Sequence, residues 1–137
     1  MTHIPDPLRR QVIARANTCC EYCRISLRDR FLQQQVDHII AEKHRGETII
    51  WNLCLSCLPC NLHKGSDISS IDIETGALTR LFNPRTDQWS DHFRLDGARI
   101  EPLTAIGRVT VFLLNMNDAN QIRVRRNLIE TNSYPCV

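Results

Sequence analysis

The stretch VDHIIAEKHRGETIIWNLCLSCLPCNLHKG, residues 36–65, read together with the upstream cluster CCEYC at 19–23, decides how this chain folds. Two C-x-x-C knuckles, Cys20/Cys23 and Cys57/Cys60, are separated by 33 residues. Each presents two sulfurs at the bite a single tetrahedral ion requires, so four thiolates on Zn2+ would staple the segment into a small module. Spacing alone leaves alternatives open, because Cys19 could replace Cys20 and Cys54 could pair with Cys57.

Seven cysteines could also form disulfides. The odd count, the C-x-x-C spacings and an N-terminus, MTHIPDPLRR, with no apolar segment after its charges favour metal ligation in a reducing compartment. A length of 137 residues suits one domain, residues 1–137, with a core at 18–66 and an extension at 67–137. No apolar run approaches the roughly 20 residues that span a bilayer. A soluble, cytoplasmic protein with no membrane partner is therefore expected. Net charge of +2 is too small to argue nucleic-acid binding by itself, so any basic surface must come from local clustering.

Working outward, Asp6-Pro7 reads as a helix start, and Leu8, Val12, Ile13 and Ala16 recur at helical spacing, which predicts a helix over 7–16. Residues 33–40 carry β-branched residues around Asp37-His38 and predict a strand; AEKHRGETII reads as a polar loop, and WNLCL resumes a strand. A short helix starting near Pro59 should stop at Gly65. The order strand, loop, strand, helix is that of a ββα unit. Further on, Thr75-Gly76 suggests a hairpin. A helix capped by Thr104 should bury Val109, Phe112, Leu113 and Met116, and another capped by Asp118 should turn Ile122, Leu128 and Ile129 inward.

Adjacent strand residues point to opposite faces. Asp37 and His38 can serve one site only at a strand's irregular end. VDHII, then G-E-x-x-x-x-N-L, then C-x-x-C-N-x-x-K-G resembles the HNH endonuclease family, over Cys20 to about Gly65. The tail, with LFNPRTDQW and SDHF before two helices, is similar to that of cyanobacterial HNH proteins.

The resemblance implies an α+β fold: a small ββα-metal (His-Me finger) module with a structural zinc site, preceded by an N-terminal helix and followed by a hairpin and helical extension. It implies metal-dependent hydrolysis of DNA phosphodiester bonds, with His38 as general base and Asn52 tying the loop and helping to orient that histidine. Cys20, Cys23, Cys57 and Cys60 would hold zinc, leaving Cys19 and Cys54 as packing residues. Asp37 and Asn61 would hold a catalytic Mg2+ or Mn2+, with His63 as an auxiliary ligand. Asn61 stands where many members have histidine; an asparagine there is found in the family too, in phage resolvases of the endonuclease VII type.

The chemistry supports these roles independently. Imidazole titrates near neutral pH, and carboxylate and amide oxygens suit hard divalent cations over a charged phosphate. Lys43, Arg45 and Lys64 are candidates for contact with DNA, double-stranded or branched. Arg123, Arg125 and Arg126 could add a phosphate-tracking surface or be solvated helix faces. One active site cuts one strand, so double-strand cleavage would take a homodimer or two nicks. The competing reading is a zinc-stabilised nucleic-acid-binding module without nuclease activity.

Overall fold

In the computed structural model, residues 3–29 and 32–136 are described. Helix α1 spans Asp6–Arg15; Pro5 occupies the cap and Asp6 is the first helical residue, with no side-chain capping bond. Strand β1 (Gln34–His38) pairs antiparallel with β2 (Leu53–Cys57), placing Asp37 opposite Cys54 and His38 opposite Leu53. The polar connection carries two short 3-10 turns, at 42–44 and 50–52. Helix α2 (Leu58–Lys64) follows directly, with Pro59 in its first turn and Gly65 ending it at φ 51°, where glycine avoids the Cβ clash of the left-handed region. The ββα order expected from the sequence is present.

Every residue of β2 is buried. Helix α1 covers it through Val12, and the Arg15 guanidinium donates to the carbonyls of Ile50 and Leu53. A strand covered on both faces reads as the near-continuous apolar run LCLSC, interrupted only by the buried Ser56, rather than as an alternating one.

The extension forms two hairpins and three helices. β3 (Ser69–Ile71) pairs with β4 (Leu78–Arg80) across the Thr75-Gly76 turn. Helix α3 (Trp89–His92) leads into a second hairpin, β5 (Phe93–Asp96) with β6 (Arg99–Pro102), which the sequence pattern did not suggest. Helices α4 (Ala105–Leu113) and α5 (Ala119–Glu130) are capped as expected, the Thr104 and Asp118 side chains accepting from the amides of Gly107 and Gln121. Phe82, Trp89 and Phe93 stack in the core, with Phe82 and Phe93 edge to face at 5.3 Å.

Two helix faces differ from expectation. Val109 and Met116 are buried, but Phe112 is 71% exposed. Helix α4 turns Gly107 and Thr110 toward the hairpins instead. A Cβ on Gly107 would lie 2.2 Å from the His92 carbonyl, and the Thr110 hydroxyl accepts from the Phe82 amide at 2.9 Å. Small residues permit this close approach, which rotates the buried arc past Phe112.

On α5 the buried residue is Arg125, which removes it from any phosphate-tracking surface; Ile122 and Leu128 are half-buried and Ile129 is exposed. Its guanidinium donates to the Ala98 carbonyl at 2.7 Å, the Met116 carbonyl at 2.8 Å and Asn117 Oδ1 at 3.2 Å. A buried guanidinium is stable only when such acceptors replace its water. Arg125→Met should therefore lower unfolding free energy by about 1–3 kcal/mol, the cost of stranding buried acceptors. Urea unfolding followed by circular dichroism checks this, and a midpoint equal to wild type would refute it.

Candidate metal centre and active site

The first knuckle is held against β2 before any ion is considered. Glu21 donates its amide to the Leu55 carbonyl at 2.9 Å and accepts the Leu55 amide on Oε2 at 2.8 Å. The Cys23 amide donates to Cys20 Sγ at 3.4 Å, which turns both sulfurs inward. Cys57 ends β2 and Cys60 lies in the first turns of α2, so the second knuckle straddles the strand–helix junction.

The sulfurs of Cys20, Cys23, Cys57 and Cys60 all lie within 4.8 Å of one another and are buried. Cys23 and Cys57 sulfurs stand 3.7 Å apart, close to the edge of about 3.8 Å that follows from a tetrahedron with metal–sulfur bonds of about 2.3 Å. The tetrad fits a single ion such as zinc. Burial opposes ionisation of Cys20, yet hydrogen bonds from the other three thiols hold it well below the ordinary thiol range.

The two remaining cluster cysteines part company. Cys54 is the packing residue expected of it: its thiol donates to the Tyr22 hydroxyl at 3.6 Å, and burial pushes it up to about 12, unlike a metal-ligating thiolate. Cys19, expected to pack likewise, is instead bonded to Cys136, with a Cα separation of 5.8 Å. With Cys20 turned toward the tetrad, its neighbour on the extended chain faces away, toward the C-terminal segment. The extension holds the knuckle further: the Tyr134 hydroxyl donates to the Cys23 carbonyl at 2.7 Å, and Trp89 Nε1 of α3 donates to the Tyr22 carbonyl at 2.7 Å.

His38 is the last residue of β1, at the strand end where the loop begins. Its Nε2 lies 2.9 Å from the Thr48 hydroxyl and 4.0 Å from Glu42 Oε1. The Asn52 side chain brackets the loop. Its Oδ1 accepts the Ile40 amide at 2.9 Å, and its Nδ2 donates to the carbonyls of Ile40 at 3.0 Å and Glu47 at 2.9 Å. Glu47 precedes Thr48, so Asn52 supports the histidine at one remove. Gly46 completes the bracket, because a Cβ there would sit 1.7 Å from the Ile40 carbonyl oxygen.

Asp37 lies on the opposite strand face, toward α2, with its side chain 21% exposed and Oδ2 3.3 Å from Lys64 Nζ. Lys64 is 2% exposed. An ammonium buried on Asp37 cannot also be displayed to a phosphate backbone, which corrects its expected role as a DNA contact. Asn61 is half-buried on α2, one turn before Lys64. His63 is exposed and its Nδ1 engages the Pro59 carbonyl at 2.8 Å. Lys43 and Arg45 are exposed on the 3-10 turn beside the His38 loop. Thr48 carried no signal in the sequence; only closure of the loop brings it to His38.

A zinc-type tetrad stapling a ββα unit with an Asp-His pair at the strand end defines a class. Residues 20–67 match the family model described as HNH endonuclease, so the module built by β1, β2 and α2 is of HNH type, a family of nuclease kind. Over 124 residues the chain is 26% identical to the Septu protein PtuB of Bacillus thuringiensis, an alignment covering 89% of this chain and 46% of that protein. The chain thus spans about half the length of the curated relative it matches. No solved structure matches it.

Cys57→Ser should release the bound metal and unfold the module, since ligand binding in small metal sites is largely folding free energy, whereas Cys54→Ala should keep full metal content. Elemental analysis of the purified variants decides between them, and a metal-replete Cys57→Ser protein would remove Cys57 from the ligand set. Gly46→Ala should cost about 1–3 kcal/mol by forcing the Ile40 carbonyl away from the new methyl group, read as a lowered urea midpoint; an unchanged midpoint would refute the close approach.

Proposed function

We propose that this protein is a metal-dependent endonuclease that hydrolyses DNA phosphodiester bonds. The observation that carries the reading is the placement of His38: it ends β1 with Nε2 engaged by Thr48, on a module that presents Asp37 toward the helix bearing Asn61. If Nε2 donates to the Thr48 hydroxyl, Nδ1 keeps its lone pair. His38 then accepts a proton from water at Nδ1 as that water attacks phosphorus and the bond from phosphorus to the 3′ oxygen breaks, leaving a 5′ phosphate and a 3′ oxygen that takes its proton from solvent, while Thr48 holds the ring's orientation and tautomer.

Asp37 and Asn61 are the oxygen donors for a divalent cation, Mg2+ or Mn2+, which when bound supplies Lewis-acid stabilisation of the charge growing on the phosphate oxygens. The donor set fits: Asp37 is partly open to solvent and Lys64 engages one of its two oxygens. His63 would assist there or at the phosphate. Lys43 and Arg45 would meet the DNA backbone, a contact that positions without specifying sequence. Zn2+ in the cysteine tetrad would be structural, since four sulfurs leave no open position.

A specific observation keeps the second reading in view. The Lys64 ammonium satisfies Asp37 without any cation, as a nucleic-acid-binding module that does not cleave would require.

Nicking of supercoiled plasmid in Mg2+ or Mn2+, with and without chelator, separates the two. Wild type should nick, and His38→Ala should lose about 10²–10⁴-fold in rate, the usual worth of a general base, with metal content and thermal unfolding near wild type. Absence of nicking by wild type in every divalent metal would establish the binding module; lost metal in His38→Ala would make the histidine structural.

A further inference from the structure

Lys64, the last residue of α2, runs its stem inward until the residue is 2% exposed. Nζ donates to Asp37 Oδ2 at 3.3 Å and to the main-chain oxygen of His38 at 3.0 Å. A buried ammonium must replace its lost water with partners. Here both partners belong to the two consecutive residues that carry the proposed chemistry. Asn61 lies three positions earlier on the same helix, hence on the same face. One side chain therefore ties the Asp37 carboxylate and the His38 carbonyl to the helix turn that bears Asn61.

The charge has its own consequence. With Oδ2 held by an ammonium, Asp37 turns one oxygen to a cation, and two cations sharing a carboxylate repel each other. We infer that Lys64 is a positioning residue for the divalent-cation site, holding Asp37 across from Asn61 by one oxygen and keeping the cation weakly bound. This rests on the reading of Asp37 and Asn61 as cation ligands.

Its test is Mn2+ binding to the full-length protein with its cysteine tetrad loaded, followed by the electron paramagnetic resonance signal of free Mn2+, alongside plasmid nicking. Mn2+ lies low in the affinity order and does not compete for four thiolates. Lys64→Met removes charge and donors; Lys64→Gln keeps a donor head without the charge. Both should bind Mn2+ about tenfold more tightly than wild type, because the repelling charge is gone. At saturating Mn2+, nicking should fall more than about tenfold in Lys64→Met, where Asp37 loses its tether, and less in Lys64→Gln.

A residue that merely packs would give the opposite sign, so unchanged or weaker Mn2+ affinity in a folded variant overturns the inference, as does full nicking by Lys64→Met. Should Lys64→Met lose the tetrad metal or unfold, Lys64→Gln decides. Tighter Mn2+ binding in the variants together with no nicking by wild type would uphold the role of Lys64 and overturn the nuclease; nicking by wild type with Mn2+ affinity indifferent to Lys64 would do the reverse. Wild type that binds no Mn2+ overturns the cation site and this inference with it.

Discussion

Four sulfurs buried within one small cluster are the constraint on which the rest of this molecule depends. As bare thiolates they would repel in a medium that penalises even one uncompensated charge, so the cluster is stable with an ion at its centre or with its thiols protonated. An ion such as zinc would join three pieces of chain: the knuckle after α1, the end of β2 and the first turn of α2. A two-stranded sheet and a helix of seven residues bury too little surface to fold alone. Stapled together, they form a rigid corner at which a strand end and a helix face each other.

At that corner the tandem Asp-His is split between two neighbours. The two side chains leave β1 in opposite directions and are recruited by different neighbours: His38 by the loop, through Thr48, and Asp37 by α2, through Lys64. The loop is shaped by polar groups, with Asn52 bonding three backbone groups. Buried backbone groups left unpaired are costly, so the asparagine secures the loop and thereby the hydroxyl that meets the histidine.

The extension is more than an appendage to this corner. Trp89 and Tyr134 donate to carbonyls of the first knuckle, and Cys136 bonds to Cys19, next to a tetrad ligand. The seven cysteines thus divide into a tetrad, a disulfide and one buried thiol. Hairpins and helices of the extension are cross-tied by polar residues, Arg108 on Asp72 and Arg125 on three oxygens.

The sequence by itself determined what local spacing can encode: two C-x-x-C bites, the ββα order from alternating breakers and apolar runs, the stop at Gly65, and the caps at Thr104 and Asp118. Each depends on residues a few positions apart, whose geometry the backbone dictates. Tertiary structure alone decided the rest. It joined Cys19 to a partner 117 residues away, brought Thr48 to His38, buried Lys64 and Arg125 where their charges found acceptors, and left Phe112 outside because Gly107 and Thr110 allowed the nearer approach. Helical periodicity says which residues share a face, but which face turns inward depends on what packs against it, and a lysine's long stem can end in solvent or on a carboxylate with the same sequence around it.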